Sequence, residues 1–310
     1  MRPLIGIALF LFITIPAGSQ PQPAEPFGWA IDIQQTYWTV PNITYSVADG
    51  YECKLDVYAR RNETGPVPTV IQIHGGGWVA GTKEGSLLGL LPYFEMGFSV
   101  VNVEYRLARV ALAPAAVEDC RLALKWVIRN AKTYNFDTSR LIVTGGSAGG
   151  HLALITGMLD STAGFDASKD WDQVNPVLKV AGIVNWFGIT DVADLLSGPN
   201  RQNYAVSWIG SRSDAREMAK RVSPLSYVRK DLPPIFTVHG TSDQLVPYAH
   251  ATQLHAALDK AGVPNKLITI QNGKHGGFTR AEMLNIFGEI KEFLKKHAIL
   301  PDPVAQPAPR

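Results

Sequence analysis

The chain has 310 residues, of which 46% are hydrophobic and 18% are charged, and its formal net charge is +2. This composition is typical of a globular protein with a sizeable core. The small charge, with no basic run among aromatic residues, argues against a nucleic-acid partner. The two cysteines, Cys53 and Cys120, fall in a strand-like run and a helical run and are interpreted as unpaired thiols. No histidine and cysteine spacing resembles a zinc site, so no metal or cofactor is predicted.

Residues 1–19 are predicted to form a secretory signal peptide. Arg2 is followed by an apolar run from Leu4 to Ile15, and Ala17 and Ser19 are the small residues expected before a cleavage site. The apolar run is too short for a comfortable membrane span, although an uncleaved N-terminal anchor is the alternative. Cleavage would leave a secreted or periplasmic protein with no membrane span. The Pro-rich segment 301–310 is predicted to be a disordered tail.

Between these ends, the pattern of apolar residues predicts one α/β domain over residues 20–300. Two early runs, NITYSVA and CKLDVYA, alternate apolar with polar residues and indicate an antiparallel pair at a sheet edge. Apolar β-rich runs then alternate with runs of helical period, which predicts a mostly parallel, doubly wound sheet with helices on both faces. Strands are predicted at Thr69–His74, Phe98–Tyr105, Arg140–Gly145, Val180–Phe187, Pro234–Gly240 and Asn265–Gln271, and helices at Ala115–Tyr134, Gly149–Leu159, Tyr248–Ala261 and Arg280–His297.

The segment 188–227 interrupts the alternation of strands and helices. It is longer than a connection between a strand and a helix should be, and it contains short helical pieces. In α/β enzymes such an insertion commonly lies over the carboxyl ends of the strands, where sites form. We therefore expect residues 188–227 to be a small cap.

The stretch GGSAG places Ser147 between a buried strand and a helix. It matches G-x-S-x-G, in which the serine occupies a sharp turn with an unusual backbone angle and needs small neighbours. The turn exposes the hydroxyl and directs the N–H of Ala148 towards a reacting carbonyl. A capping serine at an ordinary helix N-terminus is the structural alternative. The context predicts a nucleophile.

A nucleophilic serine needs a base and an acid that orients the base. Asp243 follows one predicted strand and His275 follows the next, so both lie at the sheet edge that carries Ser147. The order serine, aspartate, histidine along the chain is that of α/β-hydrolases. The remaining histidines are interpreted as structural at His74, His151 and His239, and as lying on solvated helix faces at His250, His255 and His297.

The loop HGGGWVAG, His74 to Gly81, follows another predicted strand. Adjacent glycines allow several backbone N–H groups to approach one oxygen, which is the requirement of an oxyanion hole. A phosphate-binding loop is the alternative, but neither G-x-x-x-x-G-K-[ST] nor G-x-G-x-x-G follows.

Together HGGGW, GGSAGGHLAL, HGTSDQLVPY and GKHGGF resemble α/β-hydrolases of the hormone-sensitive-lipase-like esterase group. More narrowly, they resemble its secreted carbohydrate-esterase and feruloyl-esterase-like branch (BD-FAE-like). The resemblance covers residues 44–298 and implies an α/β-hydrolase fold without a cofactor. It also implies a nucleophile at Ser147, an acid at Asp243, a base at His275, and oxyanion donors at the N–H groups of Gly76, Gly77 and Ala148.

The function predicted from these features is that of a serine carboxylester hydrolase acting on short-chain acyl esters, acetyl or aryl, of plant polysaccharide. Trp78, Trp186 and Trp208 fall near the predicted mouth of the site and are candidate contacts to a sugar or aryl group, with core packing as their alternative. Lipase-like relatives often carry a long helical cap before the glycine loop, whereas edge strands are predicted here. An open site and acyl chains of about two to four carbons are therefore expected, since each further methylene needs apolar surface worth roughly 0.8 kcal/mol.

Two other functions share parts of this pattern. A prolyl-oligopeptidase-like serine peptidase has the same order of catalytic residues but usually carries a propeller domain, for which this chain has no room. A non-catalytic binding protein with a hydrolase fold typically lacks one of the three residues, and all three candidates are present here.

Overall fold

The computed structural model describes residues 27–166 and 177–300. The predicted signal peptide, residues 1–19, and the predicted tail, residues 301–310, lie outside the described residues. Within the described ranges, no helix has the length and apolarity that crossing a bilayer would require.

The described residues form one eight-stranded sheet with the strand order β1-β2-β4-β3-β5-β6-β7-β8. Its first three strands in that order pair antiparallel, and every later neighbour pairs parallel. The predicted mostly parallel sheet with an antiparallel edge is thus confirmed. The strands are β1 Tyr37–Ala48, β2 Tyr51–Arg60, β3 Val67–Ile73, β4 Ser99–Val103, β5 Phe136–Gly146, β6 Gly182–Trp186, β7 Ile235–Gly240 and β8 Asn265–Ile270.

Helices cover both faces of this sheet. In the described residues, the α-helices are α1 Gly28–Thr36, α2 Leu91–Glu95, α3 Ala115–Arg129, α4 Ala131–Tyr134, α5 Ala148–Met158, α6 Asn203–Ile209, α7 Ala215–Arg221, α8 Ala249–Ala261 and α9 Arg280–Lys296. Four 3₁₀ segments are added to these: Lys83–Leu90, Ser161–Ala163, Ala193–Leu196 and Pro224–Tyr227.

Two hydrophobic clusters, one on each face, hold the layers together. Successive strand residues alternate between them: Ile71 belongs to one cluster, with α3, α5 and α8, while Val70 belongs to the other, with α2 and α9. This alternation follows from the two-residue period of a strand, and it explains why the central strands are apolar throughout. The sheet is buried on both faces, so the carboxyl ends of its parallel strands are left to carry a site.

The structure differs from the sequence-based expectation in two places near the N-terminus. Residues 28–36 were expected as edge strand and form α1, a helix with no fully buried residue. Residues 83–90 form a 3₁₀ helix that was not predicted. Neither segment has a clear apolar period, because each contacts the core through few side chains. Cys53 and Cys120 are buried and unpaired, as interpreted.

Candidate active site

Ser147 occupies the turn between β5 and α5 with φ 58° and ψ −122°, a backbone conformation that side-chain-bearing residues rarely adopt. Its N–H donates to the carbonyl of Trp186 at 2.9 Å. A Cβ at Gly145 would lie 2.4 Å from the Ile73 carbonyl oxygen, and one at Gly149 would lie 2.2 Å from the same atom. The flanking glycines are required because the turn packs directly against β3.

Asp243 and His275 meet at the same edge of the sheet, in the loops after β7 and β8. The distance from His275 Nδ1 to Asp243 Oδ2 is 2.7 Å. The other carboxylate oxygen accepts the backbone N–H groups of Leu245 and Val246, each at 2.9 Å. Because the carboxylate can only accept, Nδ1 carries the proton and Nε2 of His275 is left as an acceptor.

The carboxylate of Asp243 is held in its ionised form. Burial opposes ionisation, but hydrogen bonds from His239 and His275 and the N–H of Val246 outweigh it, so the pKa of Asp243 lies well below its usual range. His239 donates from Nε2 to the Val246 carbonyl at 2.9 Å, and the same nitrogen lies 3.3 Å from Asp243 Oδ2. The structural interpretation of His239 is correct, but its contact with the acid was not anticipated.

Phe187 is a second residue of the site that sequence reasoning missed. It follows β6 with φ 41°, and its N–H donates to the Val238 carbonyl at 2.7 Å. Its ring centroid lies 4.7 Å from that of His275, at an interplanar angle of 60°. The ring therefore packs against the imidazole. The only sequence signal was an aromatic residue at a strand end, which is too common to be informative.

Ser147 and His275 line one cavity of about 530 Å³, together with Gly76, Gly77, Tyr204 and Leu245. Tyr204 belongs to α6, within the segment 188–227, and its hydroxyl donates to the Leu245 carbonyl at 2.8 Å. The inserted segment thus forms one side of the cavity, next to the glycine loop.

The glycine loop has a geometry that other residues could not adopt. Gly76 has φ 117° and Gly77 has φ 59°. A Cβ at Gly76 would lie 2.0 Å from the Ala80 carbonyl oxygen, and one at Gly77 would lie 2.8 Å from Cβ of Tyr204. Ala148 is the first residue of α5, where helical N–H groups have no partner within the helix. Gly76, Gly77 and Ala148 remain the predicted oxyanion donors.

His74 supports this loop, as the sequence analysis interpreted it. Its Nδ1 lies 2.8 Å from the Gly75 carbonyl oxygen, and its ring stacks on Tyr105 with centroids 4.3 Å apart. In contrast, the interpretation of two helical histidines as lying on solvated faces is wrong. His250 and His255 are buried, and His250 Nδ1 accepts the N–H of Thr190 at 3.0 Å. His250 Nε2 also lies 3.3 Å from Asp194 Oδ2, and His255 Nδ1 lies 2.6 Å from Asn265 Oδ1, so both side chains pack against neighbouring segments.

The prediction that Trp78 and Trp208 contact substrate is wrong. Both side chains are fully buried, and their rings stack with centroids 4.1 Å apart. Trp78 Nε1 donates to Nδ1 of His151 at 3.1 Å, and His151 Nε2 in turn donates to the Val222 carbonyl at 2.6 Å. The two indoles join the glycine loop to α6 as core residues. Trp186 is only partly buried and lines a different cavity.

This packing predicts unequal effects for two matched substitutions. Trp78→Phe and Trp208→Phe remove similar volume, but among the described residues Nε1 of Trp208 has no hydrogen-bond partner. Trp78→Phe deprives His151 of its donor and should therefore lower the free energy of unfolding by about 1–3 kcal/mol more than Trp208→Phe does. Urea unfolding measures the difference. A raised KM without lost stability in either variant would restore the substrate-contact interpretation.

An α/β-hydrolase is the class of protein that this sheet and the order serine, aspartate, histidine define. The chain belongs to the BD-FAE family, whose model matches residues 55–258. This confirms both the predicted fold and the resemblance to the esterase group.

Named relatives and a solved structure agree with this class. Esterase LipQ of Mycobacterium tuberculosis is 29% identical over 69% of this chain and 51% of its own length. The probable isoprenylcysteine alpha-carbonyl methylesterase ICMEL1 of Arabidopsis thaliana is 26% identical over 79% of this chain and 53% of its own. The chain thus spans about half the length of these curated relatives. A truncated carbohydrate esterase from gut microbiota superposes with a TM-score of 0.72 at 27% identity, over 86% of this chain and 98% of the other. All three of these proteins are named as esterases.

Proposed function

We propose that the chain is a serine carboxylester hydrolase that forms an acyl-enzyme on Ser147. The observation that carries this proposal is the Asp243–His275 pair, joined at 2.7 Å, with His275 lining the same cavity as Ser147. The esterase names of the relatives support the same activity. No metal or cofactor is needed, because the three side chains supply a nucleophile, a base and an orienting acid.

The mechanism follows from these positions. Nε2 of His275 takes the proton of Ser147 as Oγ attacks the ester carbonyl carbon. The N–H groups of Gly76, Gly77 and Ala148 stabilise the oxyanion that forms. The imidazolium then donates its proton to the alcohol oxygen as the C–O bond breaks. Water, deprotonated by the same imidazole, releases the acid and restores the serine.

The proposed substrates are acetyl or aryl esters of plant polysaccharide, met outside the cytoplasm. Supporting this, the gut carbohydrate esterase superposes on nearly its whole length. The cavity also opens beside exposed Leu245 and half-buried Tyr204, where a large alcohol group can extend into solvent. Secretion rests on the predicted signal peptide at residues 1–19.

A hydrolysis panel tests the activity and separates the alternatives. The purified chain is assayed on p-nitrophenyl esters from acetate to decanoate, acetylated xylan, methyl ferulate and Gly-Pro-p-nitroanilide. Turnover of esters with none of the anilide supports the proposal. Anilide cleavage would favour the peptidase, and no turnover of any substrate would favour a binding protein.

A further inference from the structure

A second cavity, of about 350 Å³, lies beside the cavity that contains Ser147. Its side chains come from four separate parts of the fold: the 3₁₀ helix 83–90, α2, the end of β6, and α9. They are mostly aromatic or aliphatic and include Leu88, Tyr93, Trp186, Met283 and Phe287. We call this cavity the apolar pocket. Its size falls within the range of small-molecule sites, about 300–1,000 Å³.

The apolar pocket is continuous with the candidate active site. Gln72, Ser86, Gly146 and Phe187 line both cavities. Gly146 immediately precedes Ser147, so one end of the pocket lies next to the nucleophile. A group bonded to the carbonyl carbon that Ser147 attacks can therefore extend into it.

The aromatic side chains of the apolar pocket pack against one another. The Phe287 ring lies 5.3 Å from that of Trp186 and 6.1 Å from that of Tyr93, between centroids. The Tyr93 hydroxyl is 3.1 Å from Thr144 Oγ1. Met283 and Phe287 are one helical turn apart, so they share a face of α9. The pocket is thus formed before any ligand arrives.

The 3₁₀ helix on the opposite side of the pocket is also anchored. Nζ of Lys83 donates to Asp56 at 2.9 Å, and both side chains are buried. The Asn102 amide donates to the Lys83 carbonyl at 2.7 Å. These contacts hold the start of the 3₁₀ helix that carries Leu88 against β2 and β4.

The position of His275, which donates a proton to the leaving alcohol, indicates which part of an ester binds in the apolar pocket. The alcohol oxygen must leave beside His275, which donates its proton. His275 lines the larger cavity with Leu245 and Tyr204, whereas the described residues that line the apolar pocket include neither His275 nor the oxyanion glycines. The alcohol therefore occupies the side of Leu245, and the acyl substituent is directed towards Gly146.

We propose that the apolar pocket is the acyl subsite and that, of the acetyl and aryl esters proposed above, it disfavours acetyl: it binds a compact apolar acyl group, such as an aryl group, that is larger than acetyl and shorter than decanoyl. This rests on the proposed function. An acetyl group would leave the pocket unfilled, while each methylene buried there should raise kcat/KM roughly fourfold. The expectation of two to four carbons rests on the edge strands predicted before the glycine loop, which offer little apolar surface to an acyl chain. The structure supplies that surface from residues 83–90 and α9.

The test keeps p-nitrophenol as the alcohol and varies the acyl group: acetate, hexanoate, 3-phenylpropanoate and decanoate. Wild type should show kcat/KM at least tenfold higher on the better of hexanoate and phenylpropanoate than on acetate or decanoate. Phe287→Ala enlarges the pocket and Met283→Trp fills it. Each should lower the ratio of kcat/KM on the preferred ester to kcat/KM on acetate at least tenfold. Acetate turnover should stay within about threefold of wild type. Leu245→Ala, on the alcohol side, is the control and should leave the preference unchanged.

The outcomes separate this inference from the activity itself. A wild type that prefers acetate, or pocket variants that change acetate and the larger esters equally, would overturn the subsite. A lost preference in Leu245→Ala alone would reassign the pocket to the alcohol.

Circular dichroism confirms that each variant is folded, and Met283→Trp preserves an apolar face if Phe287→Ala does not fold. A wild type that cleaves no ester would overturn the proposed function. The ratio of phenylpropanoate to hexanoate distinguishes a ring from a linear chain as the natural acyl group.

Discussion

Replacing Ser147 with alanine is expected to lower kcat for p-nitrophenyl butyrate by about 10⁴-fold or more, because no acyl-enzyme can form. The fold should be unaffected. The turn is held by the flanking glycines and by the hydrogen bond from the N–H of residue 147 to the Trp186 carbonyl, and neither of these depends on the hydroxyl. Initial-rate assays measure kcat, and thermal unfolding of the same preparations measures stability.

Ser86 provides the matched control for this substitution. It lines the same cavity, but its hydroxyl donates to the Lys83 carbonyl at 3.0 Å and has no histidine partner among the described residues. Ser86→Ala should retain activity within about threefold, since the hydroxyl contacts the Lys83 carbonyl and, at 3.3 Å, Asn102 Oδ1, and neither group takes part in the reaction. A Ser147→Ala enzyme with a tenth of wild-type activity, or an inactive Ser86→Ala enzyme, would contradict the assignment.

Replacing His275 with alanine should cause a loss of about 10⁴-fold in kcat, since both proton transfers depend on it. In the wild type, the imidazole acts as a base only in its neutral form. Activity should therefore be full at neutral and mildly alkaline pH and decline as falling pH protonates the ring. The pKa of Asp243 lies well below its usual range, so this carboxylate stays ionised at mildly acid pH and adds no second proton to the limb. The acid limb of kcat/KM should accordingly have the slope of one proton.

His297 is the control histidine, because it lies at the end of α9, away from both cavities. His297→Ala should keep the wild-type rate and the wild-type acid limb. An acid limb of two protons, or a His275→Ala enzyme that retains the limb, would remove His275 from the mechanism.

The low pKa of Asp243 also has a consequence for stability. A carboxyl whose pKa is lower in the folded state stabilises that state above its unfolded pKa, near 3.9, and loses this contribution as pH falls towards the folded value. Because the shift lowers the pKa, this loss falls at acid pH, below about 3.9.

The parts of the site that follow from backbone chemistry could be predicted from the sequence. The positive φ is that of Ser147 itself, and the glycines on either side of it are required by the close approach of β3, which leaves no space for a Cβ at Gly145 or Gly149. Asp243 and His275 were identified because parallel strands end at one edge of the sheet. The three side chains therefore had to lie on the same side, whatever their distance apart in the sequence.

The parts that depend on side-chain packing could not be predicted. A tryptophan beside a glycine loop has the same sequence signature whether it lies in the mouth or beneath it, and Trp78 lies beneath it. The place of Phe187 in the site and the apolar pocket both result from contacts between elements that are distant in the sequence. Leu88 and Phe287, for example, line the same pocket. No local sequence pattern indicates such a contact, because each of these residues is of a common type for the segment in which it lies.

The most direct test of the account is to identify the residue that becomes covalently modified. The wild-type chain is treated with a fluorophosphonate, digested, and analysed by peptide mass spectrometry. We expect a single adduct, on Ser147, formed in parallel with the loss of esterase activity, and no adduct in Ser147→Ala. An adduct on another residue, or labelling that persists in Ser147→Ala, would contradict it.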